Sequence, residues 1–155
     1  MWVMEVVSGK KVKANILPVE EKDYRLINKR KFFFNWELEK SNCVVFKLVI
    51  KGQAGIIGLM ALSAYPEEQR YEIKLLCVSR ENKGCSKKYD HIAGCLIAYA
   101  CRQARLNYDA AACVSLIPKT GIKNHYMEKY GMVNAGWQLY LDGQTLDQMI
   151  LNYLT

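Results

Sequence analysis

The stretch from Arg70 to Ile97 gathers the residues whose chemistry is most readable. Arg70–Ser79 (RYEIKLLCVS) alternates through Tyr71, Ile73 and Leu75 and then turns continuously apolar, as a strand does on passing from a half-exposed to a buried position. Arg80–Asp90 is a polar loop carrying Lys83, Lys87 and Lys88, with Gly84 free to take a left-handed turn. A helix begins at Ile92, since Ala93, Leu96, Ile97, Ala100 and Ala104 recur at helical spacing. The first turn of a helix has amides without intrahelical acceptors, at the positive end of its dipole. Lysines just ahead of that turn therefore fit phosphate. The same residues fit a solvated crossover loop equally well.

Other chemistries find less support. The six cysteines (Cys43, Cys77, Cys85, Cys95, Cys101 and Cys113) form no CxxC pair, and His91 and His125 are the only histidines, so no zinc site can be drawn and no metal is expected. A Cys77–His125 nucleophile pair is disfavoured because Cys77 falls in an apolar strand, where a thiol is inert. Neither GxxxxGK(S/T) nor GxGxxG occurs, which removes the fingerprints of nucleotide hydrolysis and dinucleotide redox folds.

The elements that must position these groups follow from pattern and composition. The chain has 155 residues, 51% apolar and 24% charged, values of an ordinary globular domain, and a single domain is expected. No run approaches the ~20 apolar residues of a membrane span. MWVMEVVSGKK places its charges after a short apolar run, the reverse of a secretory signal, so reduced thiols and a cytoplasmic location are expected. The net charge of +7 is concentrated at Lys10–Lys13, Lys29–Lys31 and Lys83–Lys88 and favours an anionic partner. Nucleic acid is disfavoured, because no recognition-helix or RNP-like string accompanies the charge.

Strands are expected at Met1–Val7, Val12–Val19, Cys43–Lys51, Ile56–Tyr65, Arg70–Ser79, Ala110–Ile117 and Gly136–Leu141, with a hairpin turn at Gly52–Gly55. Helices are expected at Glu20–Asn28, whose first turn carries Glu20, Glu21 and Asp23, at Ile92–Leu106, at Gly121–Tyr130 stopped by Gly131, and at Leu146–Leu154. The last of these offers a surface for a second subunit in a homodimer. Phe32–Trp36 reads as core or as the lining of a binding site. The order implies an α/β or α+β domain, a mixed sheet with helices on both faces.

Several segments, in this order, resemble the GNAT superfamily of acetyl-CoA-dependent N-acetyltransferases. Lys88-Tyr89-Asp90-His91-Ile92-Ala93, then Gly94-Cys95-Leu96-Ile97, stand where that family has R/Q-x-x-G-x-G/A followed by a helix. Asn82-Lys83-Gly84, Lys87-Lys88-Tyr89, Lys119-Thr120 and His125-Tyr126 are similar to a bacterial branch of it, and the likeness runs from about Ile16 to Tyr140. Two departures stand out. Lys88 replaces Arg or Gln, and His91 replaces the central glycine, where a Cβ crowds phosphate unless φ is negative. His91, when protonated, would add a donor.

The resemblance implies a mostly antiparallel sheet that splays between its fourth and fifth strands, here Arg70–Ser79 and Ala110–Ile117. The pantetheine arm of acetyl-CoA would lie in that gap, against the backbone of Cys77, Val78 and Ser79; Ala110, Ala111 and Ala112 fit a close approach there and fit ordinary tight helix packing equally well. Lys83, Gly84, Lys87, Lys88, Tyr89, His91, Ile92, Ala93 and Gly94 would hold the pyrophosphate, and Thr120 or Asn124 the pantetheine. Glu72 would be the general base, the alternative being a strand glutamate paired with Lys74 or Arg70. The family's acid is a tyrosine in a slot occupied here by Met127, so Tyr126, one place earlier, takes that role. The implied activity is direct acetyl transfer, in a ternary complex, to a small-molecule or peptide amine. The alternative is a non-catalytic acyl-CoA-binding sensor.

Overall fold

A computed structural model describes residues 1–36, 42–119 and 121–155. The apolar runs around the Gly52–Gly55 turn build the middle of the sheet as β3 (Val44–Ile50) and β4 (Ile56–Tyr65). β1 (Trp2–Glu5) and β2 (Lys11–Pro18) lie to one side. On the other are β5 (Arg70–Val78), β7 (Cys113–Leu116), β8 (Val133–Ala135) and β9 (Gln138–Asp142), and a two-residue β6 (Tyr89–Asp90) caps the β1 edge. The nine strands run in the order β6-β1-β2-β3-β4-β5-β7-β9-β8, and all pairs are antiparallel except β5–β7. This is the expected mixed, mostly antiparallel sheet.

Near-continuous burial of β4 reflects cover on both faces. On one face α2 (Ile92–Tyr108) and α4 (Gly143–Leu154) pack over Ile57, Met60, Leu62 and Ile73. Gly58 allows the close approach of α2, since a Cβ there would stand 2.7 Å from Ile92 and 3.0 Å from Leu96. On the other face Phe32 and Trp36 cover Val45, Leu59, Ala61 and Cys77. α4 buries Leu146 and Met149 within its own chain and leaves Leu151 exposed.

Some expected elements differ. The expected Glu20–Asn28 helix is a 3-10 helix over Glu21–Arg25, and the four-residue α1 (Lys29–Phe32) follows it. Asp23 folds back there to accept the Glu20 amide and the Lys47 ammonium, both at 2.7 Å, and these local bonds compete with a longer helix. Ala110 and Ala111 belong to a 3-10 turn at Asp109–Ala111 rather than to a strand, so they line no gap. α3 (Lys123–Tyr130) starts two residues later than expected, and β6 and β8 carry too few apolar residues to announce themselves.

Candidate functional site

β5 and β7 pair in parallel only from Arg70↔Cys113 to Ile73↔Leu116. Beyond Ile73 the strands separate. At that point β5 also slips against β4: Ala61 faces Leu75 while Leu62 faces Ile73, which leaves Lys74 as an unmatched bulge residue. The slip changes which amides point into the gap. Before it, Cys113 donates to the Gln69 carbonyl at 3.2 Å, so by alternation Tyr71 and Ile73 face β7. After it, the Ser79 amide donates to Ile57 of β4 at 2.9 Å, so Ser79 and Cys77 face β4 while Leu76 and Val78 turn their backbone groups into the gap. The wedge so formed has a volume of about 270 Å³ and is bordered by Leu76, Val78, Leu116, Lys119, Phe34 and Tyr126.

The wedge opens onto a second concavity of about 140 Å³ bordered by Lys83, Lys87, Ala93, His125 and Lys129. Val78, Lys83 and Ala93 border both. A buried chain of bonds braces its loop: the Tyr89 amide donates to Asn82 Oδ1 and Asn82 Nδ2 to Ser79 Oγ, each at 2.9 Å. The α2 amides at Ile92, Ala93 and Gly94 have no acceptor within their helix. Lysines and first-turn amides meet at this opening, the arrangement that suits an anion, with the Asp90 carboxylate beside them paired to Lys87 at 3.2 Å.

No family model and no curated relative matches the sequence. Solved structures do match in shape. Mutant forms of the spermidine/spermine N-acetyltransferase SpeG from Vibrio cholerae superpose with a TM-score of 0.62 at 17% identity, over 92% of this chain and 98% of that one. A Bacillus anthracis protein assigned as a streptothricin acetyltransferase, solved with acetyl coenzyme A, gives 0.62 at 14% identity over 85% and 99%. N-acetylglutamate synthase from Neisseria gonorrhoeae, complexed with coenzyme A and L-arginine, gives 0.60 at 14% identity over 88% of this chain and 34% of that one. The chain has the GNAT fold.

Within that fold the expected site residues divide. Val78, Lys83, Lys87, Tyr89, His91, Ile92, Ala93 and Tyr126 border one or both concavities. Cys77 and Ser79 do not, because their amides serve β4 and their side chains are buried. Lys88 extends the β1 edge, its carbonyl accepting the Val6 amide at 2.9 Å, and Asn124 is exposed on α3 away from both concavities. Gly84 takes the left-handed turn with φ of 77° but borders neither concavity. Gly94 is needed for packing, since a Cβ there would run into the Tyr153 ring of α4. Thr120 lies outside the described residues.

His91 corrects an expectation. Its φ is 76°, the glycine-like conformation rather than the negative φ that a side chain prefers, so the loop keeps the backbone path of a glycine. The ring escapes between Trp2 and Tyr153, at 4.9 and 5.6 Å between centroids. Its Nδ1 is buried with no partner, and burial lowers its pKa against the pull of Asp90. The ring therefore favours the neutral form instead of adding a charged donor.

Glu72 is buried, with its carboxylate 2.5 Å from the Lys74 ammonium. Bonds to Glu72 and Tyr65 push the Lys74 pKa well above the usual lysine value. Tyr126 is half-buried beside the wedge, and burial raises its pKa, so its hydroxyl holds a proton at neutral pH. Met127, in the slot usually given to tyrosine, packs against the core instead. Burial pushes the Cys77 thiol up to about 11, and its Sγ donates to the Phe32 carbonyl at 3.2 Å, so Cys77 is no nucleophile. Sequence reasoning missed Leu76, Lys119 and Lys129. The phase of Leu76 depends on a bulge, and the lysines come together only in space.

Proposed function

We propose that this protein is an acetyl-CoA-dependent N-acetyltransferase acting on a primary amine by direct transfer. The observation that carries the reading is the parting of β5 from β7, which leaves the Leu76 and Val78 backbone groups in a wedge that opens onto lysines and a helix N-terminus. Those groups match an acyl-coenzyme A: strand-like backbone for the pantetheine amides, and Lys83, Lys87, Lys129 and the α2 amides for the pyrophosphate. The fold it shares with structures solved with acetyl coenzyme A and with coenzyme A supports this.

In this reading the amine nitrogen attacks the thioester carbonyl, a C–N bond forms and the C–S bond breaks. An amine with a pKa near ~10.4 is mostly protonated at neutral pH, so Glu72 accepts the proton. The Val78 amide donates to the carbonyl oxygen as charge develops. Tyr126, whose proton burial retains, protonates the departing thiolate. Melting with and without acetyl-CoA tests the cosubstrate, since occupancy at ~100 times Kd adds about 2.7 kcal/mol. Thiol release in the presence of amines tests transfer.

A second reading, an acyl-CoA-binding protein without turnover, draws on the Glu72–Lys74 pair, which commits the base to a residue of its own strand. It expects stabilisation by acetyl-CoA and no thiol release with any amine.

A further inference from the structure

The titratable residues bordering the wedge are Lys74, Lys83, Lys119 and Tyr126, and no carboxylate is among the described residues that border it. Glu72 is not among the residues that border it and is held by Lys74, which does: the Glu72 side chain is 6% exposed and that of Lys74 38%. Lys83 and Lys119, with Arg80, also lie near enough to the Cys77 thiol of β5 to act on its charge. Among the described residues the wedge is bordered by cations, and the first carboxylate met beyond it is Asp90 of the outer concavity, paired with Lys87 at 3.2 Å.

These cations are not equally available. Lys74 is bound to Glu72 and Tyr65. Lys83 lies over the Phe33 ring at 4.0 Å and borders the outer concavity as well as the wedge. Lys119 is exposed, lies 4.0 Å over the ring of Phe34, which itself borders the wedge, and has no carboxylate partner among the described residues.

We propose that the acceptor amine carries an anionic group, a carboxylate or a phosphate, and that Lys119 receives it beside Phe34. The inference rests on the acetyltransferase reading and adds the substrate class. A second cation on the acceptor, as in a polyamine, would meet Lys74, Lys83 and Lys119 with no free carboxylate among the described residues that border the wedge. A carboxylate or phosphate supplies a counterion for Lys119 and gains a charge-assisted hydrogen bond. The anionic group only positions the amine. It is unchanged by the reaction, in which the C–N bond forms, the C–S bond breaks, and the amine proton leaves through Glu72.

The test measures thiol release from acetyl-CoA with four small amines that differ in their second group: propylamine, β-alanine, phosphoethanolamine and 1,3-diaminopropane. β-Alanine or phosphoethanolamine should exceed 1,3-diaminopropane by ~10-fold or more in kcat/KM, and comparison of the two anions tells carboxylate from phosphate. Lys119→Glu should reverse the preference through the acceptor KM, while the KM for acetyl-CoA stays within about 2-fold. Equal or better use of the diamine by a chain that acetyl-CoA stabilises overturns the inference and leaves the acetyltransferase reading standing. So does a Lys119→Glu change that falls on the acetyl-CoA KM. Failure of acetyl-CoA to stabilise the chain overturns the acetyltransferase reading, and this one with it.

Discussion

Along Arg70–Ile73, β5 is hydrogen-bonded to β4 on one side and β7 on the other; from Lys74 to Val78 it keeps only β4. Both halves have apolar residues and both are largely withdrawn from solvent. The difference lies in the backbone. In the first half each amide has a strand partner, and the side chains of Tyr71 and Ile73 join the α2 face of the core. In the second half the bulge at Lys74 has shifted the phase, and Leu76 and Val78 point polar groups at a space no strand fills. Buried amides without partners are costly, so a fold retains them where a ligand completes them. The first half, which carries Glu72, is tied on both sides, and the second leaves its Leu76 and Val78 backbone facing the wedge.

The largest effect that would sharpen this division is at Glu72, two residues before the bulge. Glu72→Gln keeps volume and removes the base, so turnover should fall by ~10²–10⁴-fold while acetyl-CoA still raises the melting temperature. Unchanged turnover would assign Glu72 to the Lys74 pair alone. Next comes a matched pair of prolines. Val78→Pro deletes an amide facing the gap and should cost ~10²–10³-fold in kcat with a small change in stability. Ile73→Pro deletes an amide facing β7 in the core and should cost about 3 kcal/mol or more, read by denaturant unfolding. Equal loss of stability in the two variants would break the comparison.

A smaller effect is expected at the mouth. Gly94→Ala drives a methyl into Tyr153 and should destabilise by about 1–3 kcal/mol, loosening α2 from α4 and weakening acetyl-CoA binding. The smallest is a pH effect at His91. Its folded pKa lies below the free value near 6.5, so its contribution to stability is complete above that value and is lost as pH falls through the lowered one. Hydrogen exchange should show the α2 N-terminus loosening with acid in that window before the β5–β7 ladder does, and His91→Asn should remove the difference.

Much of the fold was legible because it is written in local pattern. β-rich runs on either side of the Gly52–Gly55 turn located β3 and β4, and early alternation β5, to within a residue or two, and the Ala93–Ala104 spacing located α2. Ala110 and Ala111 misled because small residues suit a strand and a tight turn alike. Lys83 and Lys87, to which the basic loop ahead of a helix points, and Val78 and Tyr126, to which the resemblance points, all border the concavities. Cys77 and Ser79 were misassigned because a strand offers alternate amides to opposite sides, and sequence does not say which side is empty. Lys119 and Lys129 are ordinary surface lysines in sequence; they gain a role only when loops distant in the chain face one cleft.

What the sequence determined by itself was where strands and helices run and which end of α2 collects positive charge, because periodicity and loop composition act over a few neighbouring residues. The tertiary structure decided that β7 leaves β5 after Ile73, that the bulge aims Leu76 and Val78 into the opening, and that His91 takes a left-handed conformation between Trp2 and Tyr153. Each of these depends on partners tens of residues away, and the free energy of an amide or a charge is set by what finally stands opposite it.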